Sequence, residues 1–238
     1  MYLGIGLRLG GLGGESGSAP TPFDPATLFA SSERGFWYDI SDLDTLFTTH
    51  DGAVNAVVGN AVGRVEDKSG NDYHAIMSSA PNRPILRQDV GGAYYLDFDG
   101  SNDFLVTPTI DFSTSLSQKI TVSVAMDMSG QAGTGVIYEC GRAGTQANMS
   151  SLVKTSTYSE ARWTNNNPAQ GVRRRNTTAA GLETLTVLMD RDAAGIADAI
   201  TMTLNGSEAT LTTQESVIAT TQSFVSYPMN IGRYYNLN

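Results

Sequence analysis

One cysteine and two histidines are all that 238 residues hold of the side chains that build most transition-metal and redox sites. Cys140 alone permits neither an intrachain disulfide nor a Cys-rich zinc pattern. It lies in the strand-like run Gly135-Val136-Ile137-Tyr138-Glu139-Cys140, where a buried, inert thiol is expected, and the missing disulfides suit folding in a bacterial cytoplasm. His50 and His74 have no second His or Cys nearby in sequence. No apolar stretch reaches bilayer length, and the beginning of the sequence has no charged n-region, apolar run and cleavage site, so neither membrane insertion nor secretion is expected. Basic residues are also scarce: 15 Lys and Arg against 24 Asp and Glu leave a net charge of −9, which disfavours binding a phosphate backbone. The only basic run, Arg173-Arg174-Arg175, reads as a solvated loop because it is short and has no interleaved aromatics. Sequons at Asn148, Asn176 and Asn205 are attributed to chance in a Thr/Asn-rich chain.

What is present favours strands. Apolar residues make up 40% of the chain and charged residues 16%, enough apolar surface for a core, and the abundant Thr, Ser, Asn and Gly suit strands and turns rather than long helices. The expected organisation is a Gly-rich arm and Ser/Pro linker over residues 1–33 and one β-sandwich over residues 34–238. The arm alternates Gly with Leu3, Ile5, Leu7, Leu9 and Leu12, so it builds no core of its own while its aliphatic side chains seek burial. An extended anchor that orders against another surface is the expectation.

Along the sandwich, a helical turn is predicted near Pro25–Leu28, with Asp24 as its cap. Predicted strands are Ala93–Phe98, Phe104–Thr107, Lys119–Met128, Val136–Cys140, Ser151–Lys154, Glu160–Thr164, Leu182–Met189, Ala199–Leu204, Glu208–Leu211 and Met229–Gly232. Lys119–Met128 alternates most cleanly and is expected to be a central core strand. Asn205-Gly206 between two alternating runs predicts a type I′ hairpin.

Four short motifs occur in order. They are Gly35-Phe36-Trp37-Tyr38-Asp39-Ile40 with the following Ser41–Phe47, the turn Asp67-Lys68-Ser69-Gly70-Asn71-Asp72-Tyr73-His74-Ala75, the run Tyr95-Leu96-Asp97-Phe98-Asp99-Gly100-Ser101-Asn102-Asp103-Phe104, and Asn230-Ile231-Gly232-Arg233 after the Asn205-Gly206 hairpin. Together they resemble the laminin G-like, concanavalin A-like jelly roll found in bacteriophage and prophage structural proteins. The resemblance implies an antiparallel two-sheet jelly-roll sandwich with an extended N-terminal arm, and a place in the virion. It also implies a further core strand after the Ile231-Gly232-Arg233 segment, where only Tyr234–Asn238 follow: either the native chain continues beyond Asn238 or another segment takes that place.

Glycanases on this scaffold use paired carboxylates spaced Glu-x-Asp-x-(x)-Glu along one strand, and no such triplet occurs. Asp97 with Asp99, and Asp190 with Asp192, lie beside turns where Asp bonds backbone. Asp97, Asp99 and Asp103 are the candidate ligands for calcium, which laminin G-like relatives often hold. For a glycan, Trp163 with Asn165 and Asn166, and Tyr234 with Tyr235, supply aromatic platforms beside hydrogen-bonding groups. The expected protein is a non-enzymatic virion component, decorating a capsid or sitting on a tail. It is assembled in the bacterial cytoplasm and present in several copies. Its arm contacts other virion proteins, and its sandwich is offered to host surface polysaccharide. The alternative is a polysaccharide-binding or polysaccharide-degrading module.

Overall fold

The structure, a computed structural model, describes residues 2–3, 24–31, 33–112, 119–127, 133–141, 150–164, 170–176, 181–216, 224 and 226–233. The strands among them run in chain order as β1 (Tyr2–Leu3), β2 (Leu46–Phe47), β3 (Arg64–Val65), β4 (Ala75–Ile76), β5 (Ile85–Gln88), β6 (Tyr94–Asp97), β7 (Leu105–Ile110), β8 (Lys119–Asp127) and β9 (Gly135–Cys140). They continue as β10 (Ser150–Lys154), β11 (Tyr158–Thr164), β12 (Gln170–Asn176), β13 (Leu182–Asp190), β14 (Ile200–Leu204), β15 (Ser207–Glu208), β16 (Thr212–Ser216) and β17 (Tyr227–Ile231). Among the described residues, helix is confined to segments of three to five residues, one of them at Pro25–Phe29 with the Asp24 carboxylate capping Ala26 N–H at 3.0 Å, as predicted.

Every named strand pair is antiparallel. One layer has the order β16-β12-β11-β10-β9-β17-β7-β4-β3-β2. The other is built from β15-β14-β13-β8 and from β1-β6-β5. Alternation explains the core between the layers: Ile120, Val124 and Met126 on β8, with Leu185, Val187 and Met189 on β13, are buried against Tyr138, Leu152, Ala161 and Trp163 of the large sheet. The Tyr138 hydroxyl reaches Met189 Sδ across the gap at 3.9 Å.

Among the described residues, β8 pairs in ladder with β13 alone. Its other flank meets β1, which pairs with β6 through Tyr2 opposite Asp97 and Leu3 opposite Leu96. The start of the arm is therefore part of the second layer, not separate from the sandwich. The Asn205-Gly206 turn joins β14 to β15 with φ of 48° and 81°, as its sequence demands. The expected strand Glu208–Leu211 is corrected: β15 ends at Glu208, one further backbone bond runs from Ala209 N–H to the Met202 carbonyl at 2.9 Å, and the next strand begins at Thr212.

The Arg173-Arg174-Arg175 run is not a solvated loop. It lies inside β12, between β11 and β16. Strand alternation sends Arg173 and Arg175 to one face and Arg174 to the other, and each finds acceptors there. Arg173 donates to the carbonyls of Ala197 and Ile200, both at 2.8 Å, and of Leu211 at 3.3 Å. Arg175 donates to both Glu183 oxygens at 3.1 Å. Arg174 pairs with Glu160 and lies over the Tyr158 ring.

Candidate functional site

The motif residues build a framework first. Asp67 Oδ1 accepts from the N–H groups of Trp37 and Ser69, both at 2.9 Å, while Oδ2 accepts from Tyr73 N–H at 3.0 Å and the Ser69 hydroxyl at 2.7 Å. Asp67 N–H donates to His74 Nδ1 at 3.0 Å, and Asn71 Nδ2 donates to the carbonyls of Glu33 and Gly35. The Ser-Gly-Asn turn thus clamps the segment before Trp37, and His74 serves as an acceptor within it. Farther on, Arg233 stacks over Phe104, its guanidinium carbon 3.2 Å from the ring centroid. Gly232, at φ +96°, packs so closely on Phe98 that an added Cβ would stand 2.7 Å from ring carbon Cδ1.

The calcium candidates form a turn that closes on itself. Asp99 Oδ1 accepts from Ser101, Asn102 and Asp103 N–H, and Asp103 Oδ2 accepts from Asp99 N–H. Asp97 instead pairs with Arg87 at 3.3 Å. Burial raises the Asp99 pKa, but the three backbone donors outweigh it and hold the carboxyl below its usual range. Burial pushes Asp103 above its usual range against the Asp99 N–H bond, and the Asp99 and Asp97 charges add to the rise. Among the described residues, no group of three or more His, Cys, Asp or Glu is placed to hold a metal.

Trp163, the leading glycan platform, is corrected. Its ring is 0% exposed within the core and packs against Gly171 of β12, so neither face is open to a sugar. The structural reason is alternation: Ser159, Ala161 and Trp163 share the inward face of β11, which a strand inside a sheet of a sandwich must fill. Asn165, Asn166, Tyr234 and Tyr235 lie outside the described residues, as do the arm positions Ile5, Leu7, Leu9 and Leu12. Of Leu3 only the backbone is described. Cys140 is buried beside the Tyr227 carbonyl, and burial pushes its thiol up to about 12.

Three features escape sequence reading. Between the layers, Lys154, 0% exposed in its side chain, pairs with Glu183, which Arg175 also engages. On the outward face of the large sheet, Glu139 stands in one cross-strand row with Asn230, Ser151 and Arg162. Two residues from Arg162 on that face, Glu160 is held by Arg162 at 2.8 Å and by Arg174. The signal available in sequence was a lone Glu inside each otherwise strand-like run, Ser159-Glu160-Ala161 and Leu182-Glu183-Thr184, opposite in sign to the Arg run.

The third feature is a cleft of about 390 Å³ lined by Arg173, Thr201, Met202, Glu208, Ala209, Thr210 and Leu211. The β14–β15 hairpin forms one wall and Arg173 of β12 the other, its guanidinium fixed by three carbonyls. Hydroxyls, one carboxylate and an apolar floor of Met202 and Leu211 suit a polyhydroxylated ligand. Among the described residues, Glu208 is the one carboxylate of the lining. No protein-family model matches the chain, and no curated protein is detectably similar to it.

Proposed function

We propose that the chain is a non-enzymatic structural component of a bacteriophage particle, a laminin G-like, concanavalin A-like jelly roll held to other virion proteins through its N-terminal arm. Several copies display the sandwich outward, where the Arg173–Thr201–Glu208–Thr210 cleft takes host surface polysaccharide. The observation that carries this reading is the use to which the motif residues are put. Asp67, Asn71 and His74 clamp the chain entering the sandwich, and Phe98 with Gly232 and Phe104 with Arg233 lock one motif to another. The residues that carry the resemblance are thus committed to a frame, which suits a display domain.

A second reading, polysaccharide cleavage, has one observation in its favour: Glu139 and Glu160 are both buried on the outward face of the large sheet. Their strands are two apart, so the backbones stand about 10 Å from one another. Both oxygens of Glu160 already accept from guanidinium groups, which favours a structural role.

Surface polysaccharide from the host, incubated with the purified full chain, separates the readings. Retention without release of reducing ends, lost in Thr210→Trp, is expected from the display reading. Release of reducing ends that disappears in Glu139→Gln or Glu160→Gln would replace it with the second.

A further inference from the structure

We infer that β1 is an exchangeable strand: the slot it fills between β6 and β8 accepts the same strand from a second copy of this chain, so that copies are joined by reciprocal or serial strand exchange.

The slot has two walls. β6 is paired on one side with β5 and on the other with β1. β8 is paired on one side with β13, and its opposite flank lies against β1. Cα atoms of β1 and β8 approach within 8 Å. Facing sheets stand about 10 Å apart and neighbouring strands about 4.8 Å, so β1 is beside β8 and not stacked over it. Among the described residues, β1 is the ladder partner of this edge of β6 and lies along β8 without a ladder, so its removal would leave the β6 edge unpaired, the condition that recruits a strand from elsewhere. Whatever chain supplies the strand meets the same backbone donors and acceptors.

The connection sets the reach. Residues 4–23 join β1 to the Asp24-capped turn, and a chain of that length spans at most about 70 Å when extended. A fold of this size is about 45 Å across. The strand therefore reaches the slot of an adjoining copy without leaving its own domain behind. The same pairing is gained in either position, and local concentration decides between them. Dense packing of copies, as in a particle, favours exchange, and to that extent the inference rests on the virion reading. The exchange itself is a property of the purified chain.

The test uses two full-length proteins in a Cys140→Ser background, one carrying Tyr2→Cys and the other Asp97→Cys. These positions are directly opposed in register, and such Cα pairs fall within disulfide range. The two are mixed at equal concentration, warmed to just below the melting point, cooled and oxidised. A mixed disulfide of twice the monomer mass is expected, several-fold above a control with Glu208→Cys, which is exposed on β15 beyond β14, β13 and β8. Leu3→Cys with Leu96→Cys is the second pair, should the first fold poorly. A mixed-disulfide yield no greater than control in both pairs would overturn the exchange. If the chain were still found in particles, the virion reading would stand and the arm would be assigned to its own domain or to a different protein. Strong exchange by a chain absent from particles would do the opposite.

Discussion

The indole of Trp163 lies across the backbone of Gly171, its partner on the neighbouring strand, so closely that a Cβ on Gly171 would stand 2.6 Å from ring carbon Cζ2 and 2.7 Å from Nε1. A residue with the composition of a binding platform is thus a core residue, and the glycine opposite is what admits it. Gly171→Ala is expected to destabilise the fold by about 2 kcal/mol, because backbone and ring must both shift in a packed core. A fall of roughly 5 °C in Tm by calorimetry checks it. An unchanged Tm would mean that the ring is not seated there.

Asp67 gathers four hydrogen bonds on its carboxylate. Asp67→Ala strands the part-buried N–H donors of Trp37, Ser69 and Tyr73 and is expected to cost on the order of 2–3 kcal/mol. Asp67→Asn, which keeps one oxygen, should cost less. Denaturant midpoints of the two variants, at equal m-value, give the order directly.

Much of the fold was legible in the sequence. β8 and β13 alternate over nine residues each, and alternation is a local property that needs no partner to be read. The Asn205-Gly206 hairpin and the Asp24 cap are equally local. The Arg173–Arg175 run failed because a charge run looks solvated unless its acceptors are known, and those acceptors are Glu183, on the facing sheet, and Glu160, on the next strand. Trp163 failed for a related reason. Which face of β11 turns inward is set by its pairing with β10 and β12, not by the aromatic-Asn composition that drew attention. The cleft at Arg173 was illegible because its walls come from β12 and from the β14–β15 hairpin, joined only through the three-dimensional fold.

Glu183 stands between two buried cations, Lys154 and Arg175. Glu183→Leu removes the anionic partner that both cations share and is expected to cost about 3–5 kcal/mol. Lys154→Met leaves Glu183 with Arg175 and should cost clearly less. Urea unfolding of both variants checks the asymmetry. Equal costs would contradict a cluster centred on the carboxylate.

The Asp99–Asp103 turn carries opposed pH dependences. The folded-state pKa of Asp99 is depressed, so its contribution is complete above the unfolded value of about 3.9 and is lost as pH falls through the folded one. Asp103 is raised, so its protonated form favours the fold at low pH, and that advantage is lost as pH rises through its folded pKa. The stability penalty of Asp99→Asn should therefore shrink as pH is lowered from 7 to 3. Any gain from Asp103→Asn at pH 7 should shrink over the same interval. Parallel thermal scans of both variants against the parent chain read the two slopes.

Where the chain resides decides the virion role. Quantitative mass spectrometry of density-gradient-purified particles induced from cells that carry the gene measures this directly. The display reading predicts the chain as a stoichiometric particle component, released together with its neighbours and not by salt washing. Its absence from intact particles, with the protein left wholly in the soluble lysate, would contradict a virion role.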